Sequence, residues 1–162
     1  MNRGGHAMLI NIGELSKGMG IIFIREFMEL AQQITCRKGQ ILFRKGDASH
    51  HFYTLIQGEL QITLGMNLGH VFTVNLPGDL FGWSSLISGS TYSATAVCTK
   101  FSEILRFDSD LLNDLLSRFP ASGLLFYKQL AKMLGNRLLE SYRILQRPEL
   151  ACYGGHEGDI LI

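Results

Sequence analysis

The sequence predicts a mainly β domain with flanking helices (α+β), and three observations predict it. Between about Ile34 and Asp108, short runs rich in β-branched and aromatic residues alternate with glycine-containing turns at about 8–12 residues, the spacing of a sandwich or barrel. Beyond Asp108 the apolar period changes to three and four, that of helices. Eighteen glycines among 162 residues exceed the usual share of about 7% and call for many turns. Hydrophobic residues are 46% and charged residues 18%, so the chain has the means to build a core and is not a disordered one. A domain of this size needs no disulfide or metal to hold it.

Taken in order, IFIREFMELA at 22–31 reads as a short helix. The strand runs QITC, ILFR, HFYTLI, LQITL, HVFTVNL, SATAV and SEILRFD follow, separated by RKGQ, KGDAS, QGE, GMNLG and PGD. Gly46 and Asp47 mark the turn before HFYTLI, and QGE at 57–59 reads as a tight hairpin in which Gly58 takes positive φ. Asp108 or Ser109 caps the next helix, DSDLLNDLLSRF, with leucines at 111, 112, 115 and 116. Pro120 fits the first turn of a last helix that runs to about Gln146, because Pro148 cannot continue it. Leu124, Tyr127, Ala131, Leu134, Leu138, Ser141 and Leu145 form one apolar seam on it, and Phe126, Leu130 and Met133 a second. Two apolar faces predict that one packs on the β domain and the other on a twin helix, making a homodimer through helix 120–146. The expected organisation is an N-terminal extension (1–20), the domain with its dimerisation helix (21–147) and a flexible tail (148–162).

Fifteen basic and fourteen acidic side chains leave a formal +1, so no global field favours nucleic acid or an anionic membrane. Lys128, Lys132, Arg137, Arg143 and Arg147 make the last helix basic, and read as a solvated face. Cys36, Cys98 and Cys152 form no CxxC pair and cannot all pair internally. With the early apolar stretch too short for a secretory or membrane segment, the expected location is cytoplasmic, in a reducing interior.

One segment is more specific than this pattern: PGDLFGWSSLISGSTYSATAV at 77–97. It resembles the phosphate-binding cassette of cyclic-nucleotide-binding domains, as found in catabolite activator and FNR-type sensor domains and in protein kinase regulatory subunits. Gly78, Asp79, Phe81, Gly82 and Leu86 match the first half of that cassette, and Ser93, Ala94 and Thr95 the second. Upstream, KGQILFRKGDASHHFYTLIQGELQI is similar to the family's first strands, and the likeness covers about residues 20–146. It implies a double-stranded β-helix (jelly-roll) barrel with an N-terminal helix and two C-terminal helices.

In the family, helix N-terminal amides and one Arg hold the cyclic phosphate while a Glu takes the ribose hydroxyl, a sound pairing of anion with donors. This chain has Trp83 at the Glu position and Tyr92 at the Arg position, so neither opposes a phosphate with charge. A hydrogen bond to a charged group contributes roughly 1.5–3 kcal/mol, so loss of a two-bond Arg contact costs on the order of a hundredfold in affinity. Cyclic AMP and cyclic GMP in the family's pose are therefore not favoured. The expected ligand-binding residues are Gly82, Trp83, Ser84, Ser85, Leu86, Tyr92, Ser93, Ala94 and Thr95, facing a small molecule of another kind. Ser84 and Ser85 read equally as cap residues, and Trp83 as a core-filling aromatic or a stacking platform.

Other chemistry is poorly supported. His50 and His51 are adjacent on a strand and so point to opposite faces, which removes a cupin-like metal site, and Glu59 and His70 do not complete one. Cys98 reads as a small buried hydrophobe. There is no nucleophile elbow, P-loop or GxGxxG. No cofactor or metal is expected, and no catalytic residue. The helix-turn-helix by which activators of this family read DNA does not follow Arg147, so DNA binding from this chain is not expected. The predicted function is a non-enzymatic sensor or regulatory domain for signal transduction with a non-standard pocket. Ligand or partner would shift its C-terminal helices. A true cyclic-nucleotide receptor with an altered pose, Ser93 and amides on the phosphate and Trp83 on the base, is the alternative. A cupin-like metal-dependent enzyme is the remote one.

Overall fold

A computed structural model describes residues 17–64, 70–87 and 90–145. The expected tail 148–162 and most of the expected N-terminal extension lie outside those residues, as does the GMNLG turn. The elements are α1 (Ile21–Glu29), β1 (Gln32–Cys36), β2 (Ile41–Phe43), β3 (His51–Gln57), β4 (Leu60–Thr63), β5 (His70–Val74), β6 (Leu80–Phe81), α2 (Ser84–Ile87), β7 (Thr95–Cys98), β8 (Ser102–Asp108), α3 (Ser109–Arg118) and α4 (Pro120–Leu145). They form two compact units, residues 1–130, which hold every strand, and residues 131–162.

The strands make two four-stranded antiparallel sheets, in the orders β1-β8-β3-β6 and β2-β7-β4-β5. With the flanking helices this is the mainly β fold that the sequence predicts, a β-roll. The two sheets share one core. Cys36, Tyr53, Leu55, Phe81 and Ile104 come from the first sheet, and Phe43, Leu60, Ile62, Val74, Ala96 and Cys98 from the second.

The other face of the first sheet is covered by helices. Phe27 of α1 stacks on Phe107 of β8 with centroids 4.7 Å apart, and Phe126 of α4 meets Phe52 edge-on at 6.1 Å. Arg118 of α3 pairs with Glu26 of α1 at 2.7 Å. Hence Phe52, Tyr53, Thr54 and Leu55 are all buried, and HFYTLI reads as a continuous apolar run because both its faces are covered. Fully burying each such phenylalanine contributes roughly 1.5–3 kcal/mol.

Two local expectations are resolved. Asp108, not Ser109, caps α3: its carboxylate accepts from the N–H groups of Asp110 and Leu111, at 3.0 and 3.1 Å. The Ser109 hydroxyl donates instead to the His50 carbonyl at 2.9 Å. On α4, Phe126 and Leu130 are buried, whereas Leu124 and Tyr127 are exposed, so the stripe 126/130 is the one that faces the sheet. In the second unit, Leu138, Leu139 and Tyr142 are exposed on the continuing helix.

Two expectations are corrected. QGE is not a hairpin. Both edges of β3 are already taken, by β8 and β6, so β4 crosses to the second sheet, where it pairs with β5 and β7. Gly58 does take positive φ (+107°), and a Cβ there would lie 2.5 Å from the Phe101 carbonyl oxygen. Cys98 is buried, but it is not a lone hydrophobe: it forms a disulfide with Cys36 across 62 residues of sequence. The two cysteines end β1 and β7, one in each sheet, with Cα atoms 6.4 Å apart. With that pairing, cysteine usage no longer argues for a reducing compartment.

Candidate functional site

The cassette is built as a run of turns pinned to the first sheet. The Asp79 carboxylate accepts from the Leu76 N–H at 3.1 Å, closing the PGD turn, and the Gly78 N–H donates to the Leu55 carbonyl at 2.8 Å. Leu80 and Phe81 then pair with Thr54 and Tyr53. Gly82 has φ +72°, and a Cβ on it would lie 2.8 Å from Tyr53 Cδ2, so the turn there requires glycine. One turn of helix follows, α2, lying against α3.

The second half is held by the KGDAS turn. Arg44 N–H donates to the Asp47 carboxylate at 2.8 Å, and the Gly46 N–H donates to the Tyr92 carbonyl at 2.9 Å. The Tyr92 N–H donates to the Asp47 carbonyl, also at 2.9 Å. Tyr92 is thereby aimed inward, where it is 4% exposed. Its ring lies on Phe43, centroids 3.9 Å apart, and its hydroxyl donates to the His51 carbonyl at 2.8 Å while accepting from the His51 N–H at 3.2 Å. Tyr53 continues the stack, with Phe43 at 5.5 Å and Phe81 at 5.3 Å, and its hydroxyl is 3.5 Å from that of Tyr92.

Electrostatics follow from this packing. Burial first, and the Tyr92 hydroxyl second, push the Tyr53 phenol far above its ordinary range. Burial likewise raises Tyr92. Burial, then the Arg106 guanidinium, lowers His51 below its ordinary 6.5.

Beside the stack is a cavity of about 130 Å³. Of the expected ligand residues, Gly82, Trp83, Ser84, Tyr92, Ser93 and Ala94 line it. The other three are placed elsewhere. The Ser85 hydroxyl donates to the Gly82 carbonyl at 3.1 Å, Leu86 is buried, and the Thr95 hydroxyl accepts from the Lys45 N–H at 3.0 Å. The Ser84 and Ser93 hydroxyls are 3.2 Å apart at the cavity wall. Phe43, Ile62, Leu64, Phe72 and Phe81 complete the lining, and sequence reasoning missed them as site residues. They come from β2, β4 and its end, β5 and β6, and only their shared inward register could have brought them forward.

The other candidates are structural. Glu59 pairs with Lys100 at 2.8 Å and accepts from the Thr99 hydroxyl at 2.7 Å, and Lys100, before Thr99, is its main cause of a lowered pKa. Among the described residues, no three of His, Cys, Asp and Glu lie together as a metal site would need. Among the same residues, no helix is long and apolar enough to cross a membrane.

Comparison with known proteins agrees with the geometry. A cyclic nucleotide-binding domain from Methylobacillus flagellatus superposes with a TM-score of 0.74 at 21% identity, covering 93% of this chain and 87% of that one. The catabolite activator protein of Thermus thermophilus superposes with a TM-score of 0.66 at 24% identity, covering 82% of this chain and 61% of that one. In sequence, the mouse cyclic nucleotide-gated channel beta-3 is 25% identical over 143 residues, 86% of this chain and 21% of the channel. The bovine cyclic nucleotide-gated channel beta-1 is 27% identical over 116 residues, 70% of this chain and 8% of the channel. The chain thus spans about a fifth or less of the length of these channels. The cyclic nucleotide-binding domain family matches residues 33–119, more than half of the 162, and with the cassette seated on a two-sheet roll, the chain belongs to that family.

Proposed function

We propose that this chain is a non-enzymatic regulatory domain whose pocket is not built for a cyclic phosphate. The observation that carries the reading is Tyr92. It stands where the family's Arg stands, and its ring and hydroxyl are committed to Phe43 and to the His51 backbone. No charged side chain is among the described residues lining the cavity. A cyclic phosphate there would lose its solvation with no cation in return.

In this reading the signal passes from the cassette to the helices. Because α2 lies against α3, a change in what the cavity holds shifts α2 and is felt at α3 and α4. The exposed apolar side chains Leu124 and Tyr127, and separately Leu138, Leu139 and Tyr142, support a homodimer through residues 120–146. The domain organisation 1–20, 21–147 and 148–162 belongs to the same proposal.

The test is a titration of cyclic AMP and cyclic GMP into the full chain, read by Trp83 emission and by thermal unfolding. Silence to millimolar concentration is expected. Saturable micromolar binding would replace this reading with a receptor that holds phosphate by amides and Ser93. Mass measurement at micromolar concentration tests the dimer, and monomer alone would end that part.

A further inference from the structure

Resting on the pocket reading above, and deepening it, we infer that the cassette cavity takes a small, neutral, flat aromatic molecule carrying at most one hydrogen-bonding group. The size sets the first limit. An engineered apolar cavity of about 150 Å³ lined by Leu, Ile and Phe stays dry and binds benzene. The cavity here, about 130 Å³, has room for one such ring.

The lining sets the class. Phe43, Phe72, Phe81, Trp83 and Tyr92 contribute rings, and Ile62 an aliphatic wall. Aromatic walls favour a flat guest with offset or edge-on contacts, and a mostly apolar lining without a cation gives an anion little in exchange for its water. The rings cannot easily close over the space. Phe43 is held between Tyr53 and Tyr92, and Tyr92 is fixed by two hydrogen bonds to the His51 backbone. A close-packed wall that is fixed on its far side leaves the void open for a guest.

The polar end is equally specific. Ser84 and Ser93 present two hydroxyls 3.2 Å apart. Either can rotate to give or receive a hydrogen bond, so a hydroxyl or amine on the ring is matched, whereas a carboxylate or phosphate finds no cation among the described lining residues.

The experiment titrates toluene, benzyl alcohol and phenyl phosphate into the full chain, with cyclic AMP alongside. Trp83 is the single tryptophan and lines the cavity, so its emission reports on the site, and the thermal midpoint is a second readout. Toluene and benzyl alcohol should bind saturably, with phenyl phosphate at least tenfold weaker. Ala94→Leu fills the cavity and should abolish both responses. Ser84→Ala should weaken benzyl alcohol several-fold and leave toluene unchanged, a comparison that stands even if Ala94→Leu fails to fold. Binding of phenyl phosphate as tight as that of benzyl alcohol, or toluene binding unaltered in a folded Ala94→Leu variant, overturns the inference. Silence to every probe overturns this inference alone. A response to cyclic AMP without one to toluene overturns both it and the pocket reading beneath it.

Discussion

Tyr92 lies on Phe43 with their planes 17° from parallel and centroids 3.9 Å apart, so the side chain at the centre of the cassette is a member of the core. In the family's pattern that position carries a cation that meets a ligand. Here it closes a stack that runs through Phe43 and Tyr53 to Phe81. What Tyr92 supplies at this position is packing.

Tyr92→Phe keeps the ring and removes the hydroxyl that serves both the N–H and the carbonyl of His51. It should cost about 1–3 kcal/mol, because those groups lose a partner beneath the surface. Tyr92→Arg restores the family's charge yet loses the stack and buries an unpaired guanidinium among aromatic rings, and should cost at least about 3 kcal/mol. Urea unfolding monitored by Trp83 would measure both. An arginine variant as stable as the parent would show that the ring is not part of the core.

Alkaline pH should unfold the domain from this same stack. The folded-state pKa values of Tyr53 and Tyr92 are raised above the ordinary 10.0, so above pH 10 the unfolded chain releases protons that the folded chain still holds. Stability is therefore complete below that pH and falls as pH rises through it. Absorbance at 295 nm should show two of the five tyrosines refusing to ionise until the fold is lost. Ionisation of all five in a folded protein would contradict the buried stack.

On the acid side the sign reverses. His51 has its pKa lowered below 6.5, so its stabilisation is present above that value and is lost as pH falls below it. A histidine titration followed by NMR should find His51 of the folded domain protonating below the ordinary 6.5. In His51→Gln, the acid-side slope of stability should become shallower.

Gly58→Ala should be among the most disruptive single substitutions. The residue sits at φ +107°, and the new Cβ would meet the Phe101 and Ser102 backbones at 2.5 Å. Strain of this kind costs of order 1–3 kcal/mol, and the collision adds to it. Thermal unfolding would show a fall of many degrees. Gly39→Ala is the control: it has a similar φ of +82° but open space around it, and its loss should be the smaller.

Thiol counting tests the inter-sheet disulfide. Unfolded without reductant, the chain should label one of its three cysteines with a maleimide, and after reduction all three. Cys36→Ser with Cys98→Ser should lower stability by about 2–5 kcal/mol. Three reactive thiols before reduction would exclude the bond.

The strands and helices could be read along the chain because their signals are local: alternation, turn glycines and the change of period at Asp108. The cassette half of the cavity was legible for the same reason, since Gly82, Trp83, Ser84, Tyr92, Ser93 and Ala94 all fall within one motif. The remainder was not. Phe43, Ile62 and Phe72 meet the cassette only through the order β2-β7-β4-β5 of the second sheet, and nothing local announces a long-range pairing. The same gap explains QGE, which looks like a hairpin until β8 and β6 occupy both edges of β3. It also explains Cys36 and Cys98, whose meeting depends on where two sheets end. Two-residue β6 was too short to carry any alternation of its own.

Gly82 rests so near the Tyr53 ring that not even a methyl group could stand between them, and behind that ring Phe43 and Phe81 leave no slack. Gly82, at the turn that leads into α2, therefore has a hard stop beneath it. A residue larger than glycine at position 82 would have to lift this turn off the sheet, and the start of α2 with it.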